Sequence, residues 1–452
     1  MHCKTVAATL VVWLLVAVNP FSFAAVSAAE AEKLHSELTP LGAERAGNKD
    51  GTIPAWEGGY TKVWPGYQSG QPRPDPFASE KPLFQITGKN MGQYADKLSD
   101  GIKALLQRYP TYRIDVYPTH RTAAAPQWVY DNTFKNATHA RITDNGWSLA
   151  GAYGGIPFPI PKDGYEAMTN HLYGWKGESV KYDIGTYVVP GGKPILATAG
   201  TLSYQYPYYY RDGTPENFNG YFILARMSTT GPPLKAGEAS LFREPVNKLD
   251  PGRQVWQYLV GQRRIRRAPD VSYDNPSTLT SGLSFYDEGY LFSGAMDRYE
   301  WKLVGKKEMF IPYNTQQFHT QKVDQVLGPN HLNPDHLRWE LHRVWVVEAT
   351  LAPGKRHALP KRLFYLDEDT WLAVLADGWD ARGQLWHTGL TLPFIVPELP
   401  AVTVIPFAIY DLLKGAYSVS SMFNERPLYY QIVSRRSENF FSPATLAAEG
   451  IR

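Results

Sequence analysis

The sequence predicts an α+β protein rich in strand, an antiparallel sheet wrapped on a few helices, and three observations carry that expectation. Aromatic residues are abundant, with 13 Trp, 29 Tyr and 19 Phe among 452 residues, and such side chains favour strands. From about Thr198 onward apolar residues recur with a period of two. The segments that show this period are joined by short, turn-rich links, and sequential hairpins build a meander rather than βαβ crossovers.

Residues 1–29 read as a secretory signal peptide. Lys4 supplies the positive start, Val6 to Val18 the apolar run, and Pro20 ends the helix before the small residues Val26-Ser27-Ala28-Ala29. Cleavage is expected after Ala28 or Ala29. The apolar run is shorter than the ~20 residues of a membrane span. Cys3, the sole cysteine, leaves with the leader and is not placed to carry a lipid. The mature chain then has no disulfide, no thiol nucleophile and no cysteine metal site, and it is expected to be soluble in the periplasm.

The formal net charge is +3, and loss of Lys4 leaves +2. So near-neutral a chain carries no electrostatic footprint for nucleic acid. With 38 Gly and 35 Pro the chain stays below the ~25–30% of low-complexity sequences. Apolar residues at 43% supply a large core.

In chain order, Ala31 to Leu38 reads as a short helix stopped by Thr39-Pro40. Asn48 to Pro82, rich in Gly, Pro and Trp, reads as a long irregular arm. Met91 to Tyr109 reads as a helix, because Tyr94, Leu98, Ile102, Leu105 and Tyr109 recur at spacings of three and four before Pro110. Pro157, Pro159 and Pro161 suit polyproline II, and Asp163-Gly164-Tyr165-Glu166 opens a helix to about Leu172. Tyr221–Met227, Gln254–Val260, Tyr299–Val304, Arg338–Ala349, Lys361–Leu366 and Trp371–Ala376 read as strands. Asp367-Glu368-Asp369-Thr370 is a hairpin turn, and Gly378 and Gly383 bracket the next. Leu390 to Tyr410 is apolar, yet Pro393, Pro397, Pro400, Pro406 and Glu398 exclude a transmembrane helix. That stretch is either an extended loop covering a cavity or a packed irregular segment.

Sidedness is visible within the strands. Arg338–Ala349 presents Arg338, Glu340, His342, Val344, Val346 and Glu348 on one face, and Trp339, Leu341, Arg343, Trp345, Val347 and Ala349 on the other. Trp256, Tyr258 and Val260 share a face with Gln254. A sheet with one apolar, aromatic side needs cover, and the 91–109 helix can supply part of it. The expected organisation is an N-terminal arm over 30–130 whose helices pack on a β domain over 131–452, the two forming one structural unit.

Catalytic signatures are absent from the sequence: no G-x-S-x-G, H-E-x-x-H, G-x-G-x-x-G or Walker loop occurs. Asn48-Lys49-Asp50-Gly51 with Glu57 imitates part of a calcium loop, but Ala46 occupies the first ligand position. His331, Asp335, His336 and His342 are spaced for neither a helix face nor a strand face, so no metal site is expected there. Asp287-Glu288 and Asp367-Glu368-Asp369 lie beside turns, where acids make local hydrogen bonds. In Gly261–Arg267, Arg264 and Arg266 share a face, as an anionic headgroup would require or as a charged edge strand would show. Arg343, between Leu341 and Trp345, needs a partner, either a carboxylate such as Glu300 or an anionic ligand.

Leu38-Thr39-Pro40-Leu41-Gly42-Ala43, Asn48–Trp56, Gly261–Pro269, Trp339–Ala349 and Lys361–Trp371 together resemble the bacterial family called domain of unknown function 1329. The resemblance spans nearly the whole mature chain. It implies a fold similar to the periplasmic lipoprotein carriers LolA and LolB: a curved antiparallel sheet, an incomplete barrel, with helices closing an apolar cavity. It also implies a Gram-negative source and, as partner, an inner-membrane transporter of the hydrophobe-exporting superfamily. It supplies no catalytic residue. The chain differs from those carriers in its length and its arm.

The function expected is noncatalytic binding and transport of a lipid or other hydrophobic molecule, without a cofactor or metal. Trp256, Tyr258, Trp301, Trp345 and Phe364 are the candidate cavity aromatics, with Arg264, Arg266 and Arg343 as candidate headgroup contacts. The alternative is a periplasmic carbohydrate-binding or carbohydrate-active protein, since aromatic platforms and paired acids also suit sugars.

Overall fold

The computed structural model of the protein describes residues 26–269 and 271–450. The leader expected over 1–29 lies outside the described residues as far as Ala25. Its last residues enter a capped helix: Ser27 Oγ accepts from the Glu30 amide at 3.2 Å while Glu30 accepts from the Ser27 amide at 3.0 Å, opening α1 (Ala28–Ala31). A 3₁₀ turn carries the chain on to His35, and the arm from Asn48 to Pro82 has no helix or strand.

The single helix expected over Met91–Tyr109 is two. A 3₁₀ segment, Met91–Lys97, ends at Leu98, whose backbone is extended (φ −120°, ψ 141°). Ser99 then caps α2 (Asp100–Arg108) by accepting from the Ile102 amide. Apolar spacing persists across the break, but Ser99-Asp100 restarts the helix. Helix α3 (Gln127–His139) follows, and α4 (Gly164–Tyr173) opens at Asp163 as expected, the carboxylate accepting from the Glu166 amide at 2.9 Å.

The strands run in chain order as follows. β1 (Phe84–Ile86) and β2 (Ile114–Val116) pair with each other, and β3 (Arg141–Thr143) with β4 (Ser148–Ala150) makes a detached hairpin. A first meander contains β5 (Ser179–Val189), β6 (Ile195–Gln205), β7 (Tyr221–Gly231), β8 (Ala239–Pro245), β9 (Gln254–Leu259) and β10 (Arg264–Arg267). A second begins with β11 (Tyr299–Pro312), β12 (Trp339–Leu351), β13 (Lys361–Asp367), β14 (Ala373–Trp379) and β15 (Leu385–Thr391). β16 (Phe394–Val396) and β17 (Ala401–Thr403) form a buried hairpin of their own, so the proline-rich stretch is a packed segment. β18 (Phe407–Asp411), β19 (Ala416–Met422) and the short β20 (Gln431–Ile432) complete the set.

One sheet unites both meanders. Its order is β1-β2-β12-β13-β14-β15-β18-β19-β5-β6-β7-β8-β9-β10, with β11 on β12 and β20 on β5. The pairing is antiparallel apart from one parallel bridge between Val116 and Trp339. The two ends do not meet, so the sheet is curved and open rather than a closed barrel. The protein is thus α+β and strand-rich, as the sequence predicts.

The expectation of one apolar side is corrected: both faces are buried in the second meander. Glu340 and His342, on the nominally polar face of β12, are as inaccessible as Trp339. The reason is that the arm's α2 covers one face and α4 the other. Ile102, Leu105 and Leu106 of α2 pack against Leu375, Leu390, Tyr410 and Tyr417, while Ala167 and Met168 of α4 join Tyr182, Val347 and Phe364 in a second core. Helix α2 sits so close that a Cβ at Gly101 would stand 1.9 Å from Thr388 Oγ1, and only glycine fits there. Among the described residues no helix is long and apolar enough to cross a membrane.

Candidate ligand-binding chamber

The register of the first meander aligns apolar side chains on its concave face. Leu202 pairs with Met227, Tyr204 with Ala225, and Ala225 in turn with Phe242. With Ile184 of β5 and Phe407 of β18 they wall a hollow of about 180 Å³. Its roof is the segment between β10 and β11, which makes 3₁₀ turns at Thr278–Thr280 and Tyr286–Leu291 and contributes Leu279, Phe285 and Tyr290. Two smaller hollows, of about 150 and 50 Å³, share Glu244, Arg253 and Ser293 with it, so the three form one chamber.

The roof is pinned by buried charge. Asp287 Oδ2 accepts from His357 Nε2 at 2.9 Å and from Arg362 Nη1 at 3.0 Å. His357 Nδ1 accepts from the Leu359 amide, so this ring is the neutral tautomer with its proton on Nε2. Burial raises the Asp287 carboxyl, but Arg362 and His357 outweigh it and hold it below the usual range. Glu288 accepts from the Phe285 amide through one oxygen and meets His387 Nδ1 at 2.7 Å through the other. These ties hold Tyr290 (φ 54°) and Leu291 (φ 70°) in the left-handed region that bulky residues avoid. Glu288 makes the local turn contact that the sequence suggested, and both acids are in addition anchors to the sheet.

One end of the chamber is polar. Glu244 meets Arg253 Nε at 2.6 Å and Lys248 Nζ at 3.3 Å. Burial raises the Glu244 carboxyl, yet Arg253 and Lys248 outweigh it and hold it low; Lys248 itself is lowered, first by burial. Tyr204 and Tyr290 hydroxyls lie 3.2 Å apart at the junction of the hollows. Lys176 lines the same end, and burial alone lowers its ammonium to about 8. His171 beside it is pushed down to about 3 by burial, and it accepts from the Ala373 amide, so it is neutral.

The eight candidates named from sequence lie elsewhere. Trp256 and Tyr258 belong to a satellite cluster on the opposite face, with Phe441 and Leu446. Arg264 and Arg266 stand exposed on β10, the edge strand, and their side chains hydrogen-bond only to Gln262 and Gln257 among the described residues. Trp301 and Phe364 are core residues with ring centres 5.7 Å apart, and Trp345 stacks on Trp371. Arg343 has the carboxylate it needs, but the partner is Glu368, at 2.8 Å, rather than Glu300, which is exposed. Hairpin geometry decides this: β13 runs back beside β12 and brings Glu368 over Arg343. Sequence reasoning missed Lys176, Glu244, Lys248, Arg253 and Tyr290; charges flanking Pro245 and Pro251 next to apolar strands were the available signal.

His342 instead faces two acids. His342, Asp367 and Asp369 bring ligand atoms within 4.8 Å of one another, and burial raises Asp367 to about 7. Both oxygens of Asp369 are already held by Arg121, which disfavours a cation there. An open groove of about 960 Å³ also runs past Trp128, Glu178, Asp212 and Arg435 on the surface.

Residues 85–447 match the family model described as protein of unknown function (DUF1329). An uncharacterized protein of Pseudomonas aeruginosa is 42% identical over 437 residues, covering 95% of both chains. Among solved structures, a DUF1329 family protein from Desulfovibrio piger aligns with a TM-score of 0.41 at 15% identity, over 60% of this chain and 92% of that one. A domain from Vibrio parahaemolyticus named for outer membrane lipoprotein sorting gives 0.42 at 13%, over 62% and 97%. A LolA superfamily protein from Nitrosomonas europaea gives 0.35 at 12%, over 62% and 98%. With the family model spanning most of its length and a relative matching it nearly end to end, the chain belongs to the DUF1329 family.

Proposed function

We propose that the protein is a periplasmic, noncatalytic carrier that holds a lipid or other hydrophobic molecule in the roofed chamber. The observation that carries the reading is the chamber itself: a mainly apolar hollow on a concave sheet, closed by a pinned roof, with its charged groups gathered at one end. Ligand sites of carriers have this make-up, mostly apolar walls with a few placed polar groups. Export is part of the reading through the leader-like residues 1–29, and an inner-membrane hydrophobe exporter as the loading partner rests on the family resemblance alone.

Native mass spectrometry of gently purified protein tests the proposal. A co-purified hydrophobic mass that persists at low activation supports it. An empty protein that instead retains or hydrolyses glycans supports the carbohydrate alternative, for which the open groove beside Trp128 is the available surface.

A further inference from the structure

Lys176 is 8% exposed, and no hydrogen bond or ion pair reaches its ammonium among the described residues. Burial is the one influence acting on it, since no carboxylate lies near enough to compensate. A largely desolvated ammonium without a protein partner is costly, and a fold keeps one where something else completes it. The position is not accidental slack. Tyr430 donates to the Lys176 carbonyl at 2.7 Å, and Trp175 Nε1 to the Pro400 carbonyl at 3.0 Å, so the backbone is clamped on both sides.

The surroundings share the same sign. Lys248 and Arg253 divide a single carboxylate, Glu244, between them, and neutral His171 adds nothing. With Lys176 the end of the chamber holds three cations against one anion. Beyond it the wall is apolar: Leu202, Ile223, Ala225, Met227 and Phe407.

We propose that this cationic end receives the anionic headgroup of an amphiphile, a carboxylate or a phosphate monoester, with Lys176 as its direct partner and the hydrocarbon lying along the apolar wall. The inference rests on the carrier reading above and narrows it to acidic lipids. Lys176 supplies up to three donors and, having no internal partner to give up, binds an anion without first breaking an ion pair. The Glu244 cluster keeps its own pairs, and the headgroup contact is assigned to Lys176 alone.

The test uses the full mature chain and three probes of equal chain length: dodecanoate, dodecyl phosphate and dodecan-1-ol, titrated calorimetrically below pH 8. The expected result is that at least one anion binds about ten- to hundredfold more tightly than the alcohol, the worth of a charge-assisted hydrogen bond. Which anion wins separates a fatty-acid from a phosphate headgroup. Lys176→Met removes that preference and leaves alcohol binding in place. If the wild type binds alcohol and anions alike, or if Lys176→Met keeps the anion preference, the headgroup assignment is wrong while the carrier reading survives. If neither anion nor the alcohol binds, the carrier reading fails and takes the headgroup with it. Should Lys176→Met not fold, Lys176→Gln replaces it, and the wild-type comparison stands without either variant.

Discussion

His387 Nδ1 and Glu288 Oε1 lie 2.7 Å apart, and through this contact strand β15 holds the roof of the chamber. Burial opposes the imidazolium, but Glu288 and Asp411 outweigh it and push His387 up to about 9. A histidine raised above its unfolded value of ~6.5 adds stability that is full below that pH and is lost as pH climbs through 9. About 3 kcal/mol is involved, at ~1.4 kcal/mol per unit. Denaturant unfolding of the wild type and of His387→Gln at about pH 6 and pH 9.5 measures it as the difference between the two proteins. His387→Gln should flatten the profile across that window, and an unchanged slope would reject the assignment.

Arg362 balances the charge of Asp287 from one side, and His357 donates to it from the other. Arg362→Met leaves the buried carboxylate with a neutral imidazole, at a cost of about 3–5 kcal/mol. Because Arg362 also donates to the Leu291 carbonyl at 2.9 Å, amide exchange over Phe285–Leu291 should accelerate more than in the sheet. Uniform acceleration would mean that the pair supports the fold but not the roof.

Lys176→Met should stabilise the protein, by about 2–3 kcal/mol near pH 7, since it removes a desolvated charge. The pH dependence carries the sign. The folded ammonium titrates at about 8, against ~10.4 when unfolded, so the unfolded chain binds more protons between those values. The Lys176 contribution to wild-type stability therefore rises through that window, and the gap to the variant closes. Paired thermal melts at about pH 7 and pH 10 show whether it does.

Arg264→Gln with Arg266→Gln should leave stability within about 0.5 kcal/mol, as expected for exposed positions. Hydrophobe retention should also persist, while the soluble fraction at high concentration falls, because β10 is a sheet edge whose charges deter pairing. Weakened retention would reinstate the two arginines as headgroup contacts.

Local patterns were legible where local forces decide. The alternation in Trp339–Leu351 and the cap at Asp163 are readable because each depends on residues a few positions apart. The break at Ser99 was hidden under a continuing apolar spacing, although the serine that makes it was in plain view. Strand β5 was legible but not read, since Val180, Tyr182 and Ile184 alternate with Lys181 and Asp183 as a half-buried strand requires. That Arg343 required a carboxylate followed from its neighbours; that the carboxylate is Glu368 followed only from the hairpin. The chamber was least legible, since Tyr204, Phe242, Tyr290 and Phe407 come from four distant segments. A lone lysine such as Lys176 leaves no pattern at all.

The pairing of β19 with β5 joins Tyr417 to Val189 across more than half of the chain. Contacts so far apart in sequence close late and slowly, because the intervening chain must first be gathered. Phe407, Ser420 and Ser421, which complete the chamber wall, arrive with that last closure. The wall is therefore incomplete until nearly the entire polypeptide is present, and a chain truncated before residue 416 lacks β19 and with it Ser420 and Ser421.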